Sequence, residues 1–375
     1  MQRRQTWLGC ALVVCVLAVL AEQQSLVEGC APAPHQGQWV DIRDESALII
    51  CDSVTKTEHF IRRASFETTA DDFGFLVPTP SQPDLGEADD RVFESLGQMT
   101  AARHVYREQV ETVFGFGDLL STVKHAAMAD AGSMVSAMPT GAVEVLDQKQ
   151  VAGFDATVLK ADDAEALAKW LDEHGYEARP ALTEWLKWYV DQKWIITAFK
   201  MVKGERPSFD AKSVRMTFQA DKPFYPYREP ADMRNPSGQG SRMLRVFVLS
   251  DQRHSGTLGE TGAWPGQTVW ANDISGSLHQ LAQSLKFIPN DQSFPPGYVK
   301  HLTEFEDGSF PRPGTDEVYF TPSSDQSTVE RTPIVHTTTV IKYWPGPWGA
   351  GVLGAGVLIV AGLGIRRGFR SRPTA

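Results

Sequence analysis

The sequence has little cysteine, no excess of basic residues and none of the common catalytic motifs. Only four cysteines occur in 375 residues, and no histidine cluster lies beside them, so we predict no metal site and no cofactor. The net charge of -10 argues against nucleic acid as a partner, because surfaces that bind nucleic acid are basic. Neither an HExxH zinc motif nor a G-x-S-x-G nucleophile elbow is present. The sequence therefore names no catalytic residue.

The start of the chain has the composition of a signal peptide. Arg3 and Arg4 form a basic beginning, Leu8–Leu20 is apolar, and the chain then reaches a small-residue cleavage site at Ala21. The apolar stretch is too short to span a bilayer. A twin-arginine export signal is the alternative, but Thr6 stands where that signal has an apolar residue. We expect general secretion.

The cysteines divide into two pairs. Cys10 and Cys15 lie in the predicted signal peptide and are removed with it. Cys30 and Cys51 remain in an oxidising compartment, where we predict a disulfide between them, worth about 3 kcal/mol. The alternative is lipidation of Cys30, since Gly29 and Cys30 end like a lipobox, although the residue before them is a glutamate.

Near the C-terminus, no charged side chain occurs from Pro347 to Ile365. As a helix this stretch is about 28 Å long, close to the ~30 Å of a bilayer's hydrocarbon core. Arginines follow at once, and cationic flanks stay on the cytoplasmic side, so we expect the bulk of the chain to lie outside. The residues that define this anchor are Trp348, Gly351, Leu353, Leu358, Ile359, Arg366 and Arg367. Gly346, Ala350 and Gly354 also have the spacing that pairs transmembrane helices.

Between these terminal segments, runs of strand-like sequence alternate with amphipathic helices. Strands are predicted over 45–53, 56–69 and 71–83 as an antiparallel meander, and again within 103–114, 141–160, 192–204, 212–221, 241–251, 300–310 and 316–320. Helices are predicted over 87–99, over 161–176, from Pro180 onward and over 272–287. We therefore expect an α+β fold, with mostly antiparallel sheet, several packed helices and one C-terminal transmembrane helix.

The predicted organisation has five parts. They are a signal peptide (1–21), an extracytoplasmic α+β domain (22–320) with a candidate boundary near 141, a polar stalk (321–345), a transmembrane helix (346–365) and a basic cytoplasmic tail (366–375). The stalk is predicted because its first part is polar and rich in turn-forming residues.

Aromatic residues are dense over the two central helices. They are Trp170, Trp185, Trp188, Tyr189 and Trp194. The helical spacing of Trp185 and Tyr189 predicts packing in the core. Trp188 falls off that face and is the candidate for an exposed contact, such as stacking on a sugar ring. The acidic pair Asp162 and Asp163 begins a helix, where Asp162 is expected to cap backbone N–H groups, so it does not indicate a catalytic pair.

Several blocks occur in a recognisable order. They are DESALIICDSVTKTEHFIRRASFETTADDFGFLVPTPSQP, VLKADDAEALAKWLDEHGY, YVDQKWIITAFKM, VRMTFQADKPFYPYR and, near the end, HLTEFEDGSF with DEVYF. Together they resemble a bacterial family known only as domain of unknown function 2330, over residues 30–320. The resemblance implies a secreted or membrane-anchored bacterial protein. It implies no activity, no cofactor and no catalytic residue.

The two targeting segments and the missing catalytic motifs predict a non-enzymatic protein of the cell envelope. We expect a single-pass membrane protein whose main domain lies outside the membrane and whose short tail is cytoplasmic. Its expected partners are the membrane and an envelope protein or glycan that it binds or scaffolds. Two alternatives stay open. One is a surface hydrolase that acts on envelope polymers, and the other is a sorted protein whose C-terminal anchor is cleaved.

Overall fold

The computed structural model describes residues 30–114, 144–202, 208–234, 242–285 and 300–344. The chain divides into two compact units. Unit 1 comprises Met1–Ala101 with Gly132–Arg331, and unit 2 comprises Ala102–Ala131 with Thr332–Ala375. The predicted signal peptide and the predicted transmembrane helix (346–365), including its anchor residues, lie outside the described residues.

Strands make up most of the described structure. They are β1 (Ala31–Pro34), β2 (Val40–Asp52), β3 (Thr57–Thr68), β4 (Asp72–Thr79), β5 (Asp84–Glu87), β6 (His104–Phe114), β7 (Glu144–Val151), β8 (Phe154–Lys160), β9 (Ile195–Val202), β10 (Ser208–Asp210), β11 (Val214–Gln219), β12 (Phe224–Tyr225), β13 (Met243–Ser250), β14 (His254–Leu258), β15 (Gln267–Asp273), β16 (His301–Asp307), β17 (Val318–Pro322) and β18 (Ile334–Trp344). The helices are α1 (Arg91–Met99), α2 (Ala164–Glu173), α3 (Pro180–Asp191) and α4 (Leu278–Ser284), with a 3₁₀ turn at Ala231–Met233.

Three sheets form unit 1. The first has five antiparallel strands in the order β1-β4-β9-β8-β7. The second has the order β15-β16-β13-β2-β3-β11-β5, with β10 also paired to β3, and in it β13 and β2 run parallel. The third is a short sheet in the order β12-β17-β14.

The first and second sheets pack face to face in unit 1. Phe66 of β3 meets Phe73 and Phe75 of β4 across this interface, with ring centroids 5.2 and 5.5 Å apart. Helices α2 and α3 pack on the outer face of the five-stranded sheet, and α1 and α4 pack on the outer face of the second sheet. Because both faces of each sheet are covered, apolar runs such as residues 47–50 of β2 are buried on both sides of the strand.

Unit 2 contains a two-stranded ribbon made of β6 and β18. The strands run parallel, and the pairing extends from Ile334 opposite His104 to Trp344 opposite Phe114. Most of the ribbon's described side chains are exposed, and Tyr106 is 76% exposed. The rings of His104 and Tyr106 both stack on His336.

The expected α+β class, with several packed helices, is wrong. Strands account for 49% of the described residues and helices for only 16%. One reason is that the predicted helix over 272–287 shrinks to α4, because residues up to Asp273 pair in the second sheet as β15. The predicted meander is also wrong at its third strand. Strand β4 does not extend the sheet of β2 and β3, because its phenylalanines fold over Phe66 from the opposite sheet.

Within the described ranges, no helix is both long enough and apolar enough to cross a bilayer. The longest helix, α3, has 12 residues, far fewer than the ~20 that a spanning helix needs.

Cys30 and Cys51 are both buried free thiols, so the predicted disulfide is not formed. The thiol of Cys30 donates to the carbonyl of Pro226 at 3.6 Å and lies near Glu45 in the middle of β2. Cys51 lies near Glu58 of the neighbouring strand β3. Along β2, Cys51 comes six residues after Glu45. That separation is about 20 Å in an extended strand, whereas bridged cysteines have Cα atoms within ~7 Å. An acyl chain on the Cys30 sulfur would have to leave the core, because Cys30 is fully buried.

Candidate ligand-binding cavity

A cavity of about 60 Å³ lies between the outer face of the five-stranded sheet and the C-terminal half of α2. The sheet supplies its floor. Gly74 of β4, Lys200 of β9 and Asp155 of β8 are direct neighbours across three strands, and Thr157 pairs with Gln148 farther along. Cross-strand partners point to the same face of a sheet, so this register brings their side chains together.

The way in which α2 ends provides one wall of the cavity. Gly175 has a φ of +85°, which ends the helix as a C′ glycine, and the Tyr176 N–H returns to the Leu171 carbonyl at 2.9 Å. The turn lays the Tyr176 ring against Gly74, where a Cβ atom would lie 3.4 Å from the ring. The Tyr176 ring therefore packs directly on the sheet at Gly74.

Trp170 supplies the central aromatic surface of the cavity. Its side chain is 4% exposed, and its indole stacks on His174 with centroids 3.9 Å apart. The Nε1–H of Trp170 has no hydrogen-bond acceptor among the described residues. A buried donor without an acceptor costs about 1–3 kcal/mol, so such a group in a native protein calls for an explanation.

Asp72 organises the polar side of the cavity. Its carboxylate contacts His35 Nε2 at 2.8 Å and Lys200 Nζ at 3.1 Å, while His35 Nδ1 reaches the Gly175 carbonyl at 2.6 Å. Burial, the nearby charge of Asp72 and a hydrogen bond to Asp72 all raise the pKa of Tyr176 well above its usual range. Tyr176 is thus a neutral phenol at physiological pH. Asp72 is fully engaged and serves as a structural anchor.

Other polar groups of the cavity are not engaged. Within the part of the chain that the structure describes, neither Asp155 nor Thr157 makes a side-chain hydrogen bond. Lys200 contacts only one carboxylate in that part, so its three-donor ammonium has N–H groups to spare. The cavity therefore combines an aromatic wall with a floor of uncommitted donors and acceptors.

A second polar group, here called the ion network, is buried between the sheets and comprises Glu45, Arg62, Arg242 and Glu229. Glu45 lies 2.7 Å from Arg62 and 3.1 Å from Arg242, which in turn lies 2.9 Å from Glu229. Burial acts to raise the pKa of Glu45, but its two arginines overcome this and lower it to about 2. Glu229 contacts one arginine of the network, Arg242, and here burial outweighs the effect of the arginine charge. Burial therefore raises the pKa of Glu229 to about 7.

Glu229 also lines a larger cleft of about 260 Å³ beside α3. Trp188, the predicted exposed contact, lies on this cleft and is half-buried. The guanidinium of Arg228 covers the Trp188 ring at 4.0 Å, and Arg228 also pairs with Asp316 at 3.1 Å. Trp188 is therefore already stacked on a cation, and Arg228 would have to move before a ligand ring could stack on Trp188.

Comparison with known proteins places the chain in a family. The profile of a bacterial family described as "uncharacterized protein conserved in bacteria (DUF2330)" matches residues 28–281. The chain belongs to the DUF2330 family. No curated protein matches the DUF2330 chain. The match confirms the resemblance drawn from the sequence blocks, although it ends before β16 and β17 of unit 1.

The DUF2330 match includes every residue of the cavity and of the ion network. Among the described residues, no group of three or more His, Cys, Asp or Glu side chains is arranged to hold a metal ion.

Sequence reasoning found part of the site in this DUF2330 chain and missed the rest. Core packing of Trp185 and Tyr189 is confirmed, since they are 4% and 0% exposed. The cap of α2 is Asp163 rather than Asp162, because the Asp163 carboxylate accepts from the Ala166 N–H at 2.6 Å.

The cavity itself was not predicted. Alternation along β4 indicates that Asp72 and Gly74 share a face, but no sequence pattern shows that β4 lies beside β9 and β9 beside β8. The signal that was available is the paired occurrence of Gly175 and Tyr176 after an amphipathic helix, which marks a tight turn that carries an aromatic ring.

Proposed function

We propose that this DUF2330 protein is a binding protein of the bacterial envelope, held in the membrane by its C-terminal segment, and that it binds a small polar molecule in the cavity at Trp170. One observation carries the binding part of the proposal. Trp170, whose buried Nε1–H has no acceptor among the described residues, lines a cavity that also holds uncommitted groups of Asp155 and Thr157. A ligand oxygen would satisfy that donor.

The location rests on the sequence. The basic and apolar start of the chain is typical of an export signal, and the uncharged stretch from Pro347 to Ile365 has the length of a membrane span. Arg366 and Arg367 favour an orientation with unit 1 outside the cytoplasm. The same segments remain compatible with a sorted protein whose anchor is cleaved after export.

Binding is tested with the full-length protein in detergent micelles. Thermal unfolding is followed with and without the low-molecular-mass fraction of a bacterial envelope digest. We expect the fraction to raise the melting temperature of the wild type and of the control Trp188→Phe, but not of Asp155→Asn, which alters the cavity. If no fraction raises the melting temperature of the wild type, the protein does not bind a small envelope molecule.

Location is tested on intact spheroplasts with added protease. We expect unit 1 to be degraded, while a peptide spanning Arg366–Arg372 is recovered from the membrane fraction by mass spectrometry. Recovery of unit 1 protected inside the cell would contradict the proposed orientation. Loss of the C-terminal peptide from the mature, cell-associated protein would replace permanent anchoring by the sorted form.

Hydrolysis of an envelope polymer is a second candidate function, favoured by one observation. Glu229 is 2% exposed, lines the 260 Å³ cleft and has a pKa raised by burial to about 7, which suits a general acid. Glycoside hydrolysis needs two carboxyl groups, and Glu184 and Asp191 also line this cleft. The Oε1 atom of Glu229, however, is already held by Arg242 at 2.9 Å. Release of reducing ends from envelope glycans by the wild type, abolished in Glu229→Gln, would support this candidate over simple binding.

A serine–histidine pair elsewhere in the fold does not support hydrolysis. Ser250 Oγ and His254 Nδ1 are 2.9 Å apart, but both also contact the carbonyl of Gln252, at 2.6 and 2.9 Å. The two side chains are 1% and 5% exposed. Their protons point at a carbonyl oxygen, so this pair stabilises the turn between β13 and β14.

A further inference from the structure

We infer that the ligand of the cavity is one neutral, polyhydroxylated ring, such as a single pyranose unit at the end of a glycan. This inference rests on the proposed function and names the chemical class that the cavity takes. Three properties of the cavity lead to it: two chemically different walls, a balance of charge and a small volume.

The two walls belong to different layers of unit 1. Trp170 comes from α2, His174 caps its C-terminus and Tyr176 lies in the turn that follows, so the helical layer supplies aromatic rings. The sheet supplies Lys200, Asp155 and Thr157. A flat ring with apolar C–H faces and hydroxyl groups at its edge matches both walls at once, because aromatic faces pack against C–H groups while polar groups fix the orientation.

The charges of the floor oppose a charged ligand. Lys200 already contacts the Asp72 carboxylate at 3.1 Å and is also the direct cross-strand partner of Asp155. An anion near Lys200 therefore meets two carboxylates, and a cation near Asp155 also meets the ammonium of Lys200. A hydroxyl group both donates and accepts. It can donate to Asp155 and accept from Lys200 or from Trp170 Nε1–H, which has no acceptor among the described residues.

The volume limits the ligand to one ring. On a scale where one water needs about 10–15 Å³, the cavity of about 60 Å³ holds roughly four to six waters, which is the space of a single sugar ring. Gln148 lies on β7, the outermost strand of the five-stranded sheet, and is exposed. The cavity therefore opens at the sheet edge, where the rest of a glycan chain would leave.

The test measures binding of a defined panel to the full-length protein in detergent micelles by isothermal titration calorimetry. The panel contains neutral hexoses and N-acetylhexosamines, an anionic uronic acid, cationic glucosamine and zwitterionic alanine. We expect at least one neutral sugar to bind about ten-fold or more tightly than every charged probe. We expect Asp155→Asn to weaken that sugar by about ten-fold and Thr157→Val to weaken it by less.

The matched control is Asp147→Asn, which makes the same change on the exposed part of β7 and should leave sugar affinity unchanged. Far-ultraviolet circular dichroism confirms that each variant is folded. Should Asp155→Asn fail to fold, Gln148→Ala at the exposed rim takes its place with the same expected direction.

The outcomes separate the ligand class from the binding function. Tighter binding of alanine, of glucosamine or of the uronic acid than of any neutral sugar overturns the inference of a neutral sugar while leaving a binding protein. The sugar inference is also overturned, and the binding function stands, if no sugar binds but the envelope fraction still raises the melting temperature of the wild type. If neither the panel nor the fraction binds, the proposed function and this inference both fail.

Discussion

The ion network and the cavity at Trp170 are two polar regions of the same unit with opposite chemistry. Both carboxylates of the network, Glu45 and Glu229, have an arginine within 3.1 Å, whereas Asp155 in the cavity has no hydrogen-bond partner among the described residues. The network is buried and balanced by its own charges. The cavity leaves groups uncommitted beside open space. The comparison teaches that a buried ion cluster with strong pKa shifts can be structural when its charges pair with one another, whereas the uncommitted groups of the cavity lie beside space that a ligand can enter.

The largest effect is expected from breaking the ion network. Glu45→Gln leaves Arg62 and Arg242 buried beside a neutral amide, so we expect the free energy of unfolding to fall by about 3–5 kcal/mol. Urea denaturation measures it. The control is Glu67→Gln, which loses a half-exposed pair with Arg43 and should cost less than about 1 kcal/mol. Equal losses in the two variants would contradict a structural role for the network.

The next largest effect is expected in the pH dependence of stability, which distinguishes Glu229 from Glu45 within the network. The folded pKa of Glu229 is about 7, above its ordinary value of 4.5, so the folded state holds this proton more tightly than the unfolded state. Stability from this group is complete below pH 4.5 and is lost as the pH rises through 7. We expect Glu229→Gln to gain about 1–3 kcal/mol relative to the wild type between these limits.

Chemical denaturation at several pH values checks this profile. The control is Glu184→Gln, which makes the same change at an exposed position of the same cleft and should parallel the wild type at every pH. A pH profile of Glu229→Gln that also parallels the wild type would show that the pKa of Glu229 is not raised in the folded protein.

A smaller effect is expected at the turn that forms the cavity wall. Gly175→Ala places a side chain at a φ of +85° and 3.3 Å from the His35 ring, so we expect a loss of about 1–2 kcal/mol. Sugar affinity should fall as well, because Tyr176 follows directly. Gly97→Ala in α1 has open space around it and should be neutral or stabilising. A Gly175→Ala variant with unchanged stability and affinity would show that the turn tolerates other residues.

The smallest effect on stability is expected in the cavity itself. Asp155→Asn removes a charge that makes no side-chain hydrogen bond in the described structure, so we expect the free energy of unfolding without ligand to change by less than about 0.5 kcal/mol. The same variant should lose the stabilisation that a bound sugar gives to the wild type. A loss above about 1 kcal/mol without ligand would mean that Asp155 belongs with the structural carboxylates, and the comparison would fail.

The sequence predicted several individual helices and strands, because residue patterns within each segment determine them. The amphipathic spacing of α2 and the proline at the start of α3 identified both helices, and apolar runs identified β2, β3 and β9. The fold class was wrong because pairing between strands distant in sequence decides it. Residues before Asp273 entered the second sheet as β15, and β4 crossed to the opposite sheet.

The site was harder to predict for the same reason. Asp72, Asp155 and Lys200 come from three separate strands, and only their cross-strand register brings them together. The predicted disulfide failed because a short separation in sequence does not imply a short distance once a chain is fully extended along β2. Trp188 was predicted as an exposed contact, but it is half-buried and packs against the core, and its position in the helix gave no sign that Arg228 would cover it.

The ribbon of unit 2 has a mechanical consequence for the segment that leads to the predicted anchor. From Ile334 to Trp344 the chain is fully extended and advances about 33 Å, at ~3.3 Å per residue. A flexible linker of the same length would have an average end-to-end distance of about 18 Å. Because β18 is paired with β6 along its whole length, it cannot coil up without breaking that ladder. The ribbon is therefore stiffer along its own length than the polar stalk that the sequence predicted for these residues.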